Sequence, residues 1–181
     1  MGWIVLVIIV IAVFWVIALY NRLVINRNKV DNSWSQVDVQ LRRRYDLIPN
    51  LVETVKGYAT HEKEVFENVA RARQQAIQAQ GPEQKGQAEN MLTGALRQLF
   101  AVAEAYPVLR ASENFTQLQQ QLQDTENKIA YARQFYNDTV FMYNTSIEKF
   151  PASLFASMFG YARRPFFEVE GEGREPVSVK F

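Results

Sequence analysis

Apolar and polar positions divide this chain into one uninterrupted apolar run and three long stretches of helical periodicity. Trp3 to Tyr20, WIVLVIIVIAVFWVIALY, holds no charged side chain and no strongly polar one. At ~1.5 Å per residue the run makes a helix of ~27 Å, enough to cross the hydrocarbon core of a bilayer. A signal peptide is the competing reading. No basic residue precedes the run, and the exit Ala18-Leu19-Tyr20-Asn21-Arg22 lacks a small-x-small cleavage site. The run therefore reads as an uncleaved single-pass anchor, with Trp3, Phe14, Trp15 and Tyr20 as its aromatic anchor residues.

Beyond Asn21 apolar residues recur in steps of three and four: Val30, Trp34, Val37, Leu41, Tyr45, Ile48, Val52, Val55, Ala59, then Phe66 and Val69. This spacing predicts one very long helix from the anchor to about Gln80. Pro49 interrupts it, and the unbroken phase of the stripe favours a kink over a break. Gln80-Gly81-Pro82-Glu83 reads as a turn. A second helix carries Ala88, Met91, Leu92, Ala95, Leu96, Leu99, Val102, Ala103 and Tyr106 on one face and ends near Tyr106 at Pro107. Ser112 is a good N-cap for the third, in which Phe115, Leu118, Leu122, Thr125, Ile129, Ala132, Tyr136, Thr139, Tyr143, Ser146 and Phe150 alternate by three and four. Phe135, Val140 and Ile147 widen that stripe to bundle width. A short apolar piece, Ala152 to Phe159, reads as a final helix, and Val177 to Phe181 alternates as extended chain. The expectation is an all-α chain. A single transmembrane helix (1–21) continues into the long helix of an antiparallel bundle (22–160), built of three long helices and a short fourth. An extended C-terminal tail (161–181) follows.

Charge sets orientation and excludes partners. Twenty Lys and Arg against nineteen Asp and Glu leave +1, so no global basic face exists for nucleic acid. Arg22, Arg27 and Lys29 follow the anchor, opposed by Asp31, which favours an outer N-terminus and a cytoplasmic bundle domain. Arg42-Arg43-Arg44 lies ~33 Å along a continuous helix from the anchor's end, far beyond a Debye length of ~8 Å, and reads as a solvated face with ion pairs. There are no cysteines, which removes disulfides, thiolate zinc sites and cysteine nucleophiles. His61 is the single histidine, in HEKE on the polar side of the first helix, and matches neither HExxH nor ExxH. Nucleophile, base and metal constellations are missing, so no enzymatic activity, cofactor, metal or small-molecule substrate is expected.

Two long segments carry a family resemblance. RRRYDLIPNLVETVKGYATHEKEVFENVARAR, Arg42 to Arg73, resembles the signature of the bacterial LemA family. So does AYPVLRASENFTQLQQQLQDTENKIAYARQFYNDTVFMYNTSIEKFPASLFASMFGYARRPFFEVE, Ala105 to Glu170. The resemblance implies a single-pass protein of the bacterial inner membrane with a compact helical bundle. It supplies no catalytic residues, and some relatives are associated with organising membrane compartments in magnetotactic bacteria.

Two functional readings follow. A first helix projecting ~90 Å past Tyr20 exceeds a second of ~36 Å. Val30, Trp34, Val37 and Leu41 would then form an exposed stripe that copies of the chain bury in a homo-oligomeric scaffold. Alternatively a monomeric adaptor presents an aromatic segment and tail to another membrane protein, such as a protease or transport complex. The candidates are Phe155, Phe159, Tyr161, Phe166, Phe167 and the terminal Val179 and Phe181, the last pair shaped for strand addition. In that arrangement the aromatic segment lies distal from the bilayer.

Overall fold

The computed structural model describes residues 2–169. Every regular element among them is an α-helix: α1 (Gly2–Lys56), α2 (Lys63–Gln78), α3 (Gly81–Glu104), α4 (Pro107–Arg110), α5 (Glu113–Glu148) and α6 (Ala152–Met158). The all-helical expectation stands, but the helix expected to reach Gln80 is two helices. α1 stops at Lys56 before Gly57, the residue type that loses most entropy in a helix. The amides of Tyr58 and Ala59 both turn back onto the Val55 carbonyl, at 3.0 and 3.0 Å. His61 is exposed in this turn and is not part of α1. The apolar stripe crosses the turn in phase because the helices on both sides bury a face; its period reports burial, not continuity. α1 consequently runs ~54 Å past Tyr20 rather than ~90 Å.

Pro49 lies inside α1 and does not end it. A proline there removes the N–H that would bond the carbonyl four residues back, which belongs to Tyr45. Arg73 of α2 donates its Nε to that carbonyl at 2.7 Å. A side chain from one helix replaces the backbone donor that the other lacks.

The chain divides into two compact units, and α1 and α5 contribute to both. The first comprises Met1–Val37 and Ala132–Pro165. Its core holds Leu23 and Val30 from α1 with Tyr136, Val140, Tyr143 and Ile147 from α5. Trp34 and Tyr136 pack ring to ring at 5.2 Å. The extended segment after α6 is clipped to α5: Tyr143 Oη donates to Ala162 O at 3.0 Å and Tyr136 Oη to Pro165 O at 2.9 Å. Asn144 exchanges two hydrogen bonds with the Arg164 backbone, both 2.9 Å. The start of the expected tail is therefore fixed structure.

The described part of the second unit is Asp38–Tyr131 with residues 166–169. α2 and α3 form a helical hairpin with alanines Ala72, Ala76, Ala88 and Ala95 buried. Small side chains at those positions let the two backbones approach closely. Gly81 supplies a positive φ of 71° at the turn between them. Phe167 is wholly buried in this unit, and beside it the Glu168 carbonyl sits where a Cβ on Gly86 would lie.

Candidate functional site

At the end of the apolar run, the first unit gathers an aromatic cluster. Tyr20 meets Phe159 edge-on at 5.2 Å and Tyr161 at 6.4 Å. Arg27 places its guanidinium 5.4 Å from the Tyr161 ring centre, a cation–π arrangement. On α6 and just before it, Phe150, Leu154, Met158 and Phe159 are exposed, Phe150 by 81%. The eighteen-residue apolar window of α1 is 0% buried within the chain and is long enough to cross a membrane. Exposed apolar surface thus continues from α1 onto α6.

Beside the cluster, α1 and α5 flank an open groove of ≈ 840 Å³. Trp15, Leu19 and Phe150 line it at the apolar end; Arg22, Lys29 and Lys149 are its charged lining residues. Asn26 and Thr145 add neutral polar groups.

The second unit holds a different arrangement, a buried charge network. Arg44, 4% exposed, donates Nη1 to Glu89 Oε2 at 2.6 Å and Nη2 to Thr93 Oγ1 at 2.9 Å. Its Nε lies 2.8 Å from Glu126 Oε1 but out of line for a hydrogen bond, so that contact is purely an ion pair. Tyr45 donates its hydroxyl to the other Glu89 oxygen. Burial first, then the Glu89 charge, raise the Tyr45 phenol above its ordinary value and keep it neutral as a donor. Lys85 donates to the Ala76 carbonyl at 3.0 Å, closing the C-terminal turn of α2, and faces Asp38 at 3.8 Å. Charges this deep persist only when paired, and removing one partner of a buried pair costs about 3–5 kcal/mol. Among the described residues no group of three His, Asp or Glu side chains is placed to hold a metal ion. The network ties α1, α2, α3 and α5 together; it presents no free nucleophile or base.

A family model described as LemA family matches residues 33–181. The chain belongs to the LemA family. Among curated relatives, magnetosome protein MamQ of Magnetospirillum gryphiswaldense is 26% identical over 184 aligned residues, covering 87% of this chain and 68% of the relative. Magnetosome proteins MamQ 1 and MamQ 2 of Paramagnetospirillum magneticum match with the same identity and coverage.

In this LemA chain the residues singled out from sequence are distributed unevenly. Trp3, Phe14, Trp15 and Tyr20 are exposed on the apolar run. Val30, Val37 and Leu41 are core, and Trp34 is half-buried against Tyr136, so the bare stripe expected of a monomer is not there. The chain's own packing covers it. Phe159 is exposed, Phe155, Tyr161 and Phe166 are half-buried, and Phe167 is core rather than contact surface. Val179 and Phe181 fall outside the described residues. Phe159 and Tyr161 lie against Tyr20, not at a distal end. The extra reversal at Gly57 explains this: one more turn flips the direction of every later helix, and α5 runs back toward the apolar run. Arg44 is not part of a solvated face, whereas Arg42 and Arg43 are exposed. The groove and the buried network escaped sequence reading because each joins residues more than forty positions apart, with no local motif.

Proposed function

We propose that this LemA-family protein is a single-pass membrane protein that works without catalysis, as a scaffold or adaptor for membrane-associated assemblies. The observation that carries the reading is the exposed apolar set Phe150, Leu154, Met158 and Phe159, joined to the apolar run where Phe159 meets Tyr20. In water it would be a large exposed apolar patch; at a bilayer surface it lies where aromatic and Met side chains partition. The relatives' magnetosome names are in keeping with a membrane setting. Three basic residues soon after the run favour the body on the cytoplasmic side of the inner membrane.

Self-association needs a surface other than the α1 stripe. Phe135 on α5, 50% exposed, offers one. The test is the mass of full-length protein in nanodiscs, combined with crosslinking through introduced cysteines in a chain that has none. A defined oligomer with crosslinks from Phe135→Cys and none from Trp34→Cys is expected. A strict monomer that forms no crosslinks from either position rules out the scaffold form and leaves the adaptor.

A further inference from the structure

We propose that the groove between α1 and α5 binds one anionic phospholipid, its phosphate held among Arg22, Lys29 and Lys149 and an acyl chain lying against Trp15 and Phe150. The site rests on the membrane reading above and names the ligand at that surface.

Charge is the first argument. Three cations line the groove and no carboxylate does. Other cations of this unit are engaged: Arg27 on the Tyr161 ring, Arg163 with Glu148 at 3.1 Å, Arg164 with Asp31 at 3.1 Å. Among the described residues, Arg22, Lys29 and Lys149 have no ion-pair partner, so the groove is an uncompensated positive site. A phosphodiester matches it. A zwitterionic headgroup would add a fourth cation to these three, which Coulomb repulsion disfavours.

Order along the helix is the second. Trp15, Arg22 and Lys29 stand seven residues apart, on one stripe of α1. The stripe is apolar within the membrane-crossing run and cationic beyond it, the order of acyl chain and phosphate in a lipid of the adjoining leaflet. Asn26 and Thr145 add neutral hydrogen-bonding groups in the cationic half and suit the phosphate and glycerol oxygens. Free phosphate would leave the apolar end of the groove empty, and a lipid fills both ends.

Native mass spectrometry tests this on the full-length protein in neutral detergent, with phosphatidylglycerol or phosphatidylcholine added. We expect one phosphatidylglycerol retained per chain, with about tenfold preference over phosphatidylcholine, equivalent to about 1.4 kcal/mol. Arg22→Gln/Lys29→Gln/Lys149→Gln should remove the preference, and Lys149→Gln alone should weaken it in a chain with one surface change. Thr145→Trp should block retention by filling the groove without altering charge. Arg42→Gln/Arg43→Gln should change nothing, and circular dichroism checks that each variant is folded. Equal retention of the two lipids, or full retention by the triple variant, overturns the site. Loss in the triple variant but not in Thr145→Trp replaces the groove with a diffuse basic belt. Displacement by excess inorganic phosphate overturns the lipid assignment. Release of the protein from membranes by alkaline carbonate breaks the membrane reading itself; membrane retention without lipid preference breaks only the groove.

Discussion

Arg73 and Pro49 show how one side chain makes another's position tolerable. The Tyr45 carbonyl, deprived of its helical partner by Pro49, is buried against α2 and accepts from Arg73 Nε. Arg73→Met should therefore cost about 1.5–3 kcal/mol, the range for a hydrogen bond to a charged group. In a Pro49→Ala background the restored N–H serves the same carbonyl, and the cost should fall below about 1 kcal/mol. A double-mutant cycle by urea denaturation reads this coupling; additive effects would show that Arg73 acts elsewhere. Tyr136 gives a pH signature. Burial pushes its phenol up to about 12, with Arg164 opposing and Asp31 assisting. Its stabilising contribution is complete below the free value of 10.0 and declines as pH rises toward about 12, because the unfolded chain ionises first. The loss approaches 1.4 kcal/mol per pH unit in that window. Tyr136→Phe should lose about 1 kcal/mol at neutral pH, from the bond to Pro165 O, and show a shallower alkaline decline than wild type. Parallel declines would place the alkaline sensitivity in other tyrosines.

Among the elements, α3 gives its two interior glycines, Gly86 and Gly94, opposite roles. Helix propensity favours alanine over glycine by about 1 kcal/mol at both Gly86 and Gly94. At Gly94 an added Cβ meets nothing within 4 Å, so Gly94→Ala should stabilise by about 0.5–1 kcal/mol. At Gly86 the Cβ would enter the Glu168 carbonyl, and the segment carrying buried Phe167 would have to move. Gly86→Ala should destabilise by about 1–3 kcal/mol. Thermal melts of the two variants should shift in opposite directions; a shift upward in both would mean that the segment yields without cost. Both glycines are plain in the sequence, yet nothing local separates them, because the atom that decides lies eighty-two residues away.

For the whole molecule, the apolar window is 0% buried within the chain and adds nothing to its core. A chain lacking Met1 to Phe14 should keep its helical melting temperature within a few degrees in mild detergent. Continuing the truncation through Leu23, 2% exposed, should remove core from the first unit and lower the transition clearly. Equal melting of both truncations would show that the α1 end of that unit contributes little to stability.

Helix, bundle class and the apolar span were legible in the sequence because they rest on local quantities: residue period, span length, and the punctuation of Gly81-Pro82 and Pro107. The stripe from Val30 to Val69 showed which side chains are buried without showing that the chain reverses at Gly57. That reversal sets the direction of α5, and so decides that Phe159 meets Tyr20 and that Trp15 and Lys149 line one groove. Likewise Arg42, Arg43 and Arg44 are one basic run by sequence. Packing alone seals Arg44 between Glu89 and Glu126 while its neighbours stay in water, since a 3.6-residue turn aims adjacent side chains in different directions and distant helices decide what each one meets.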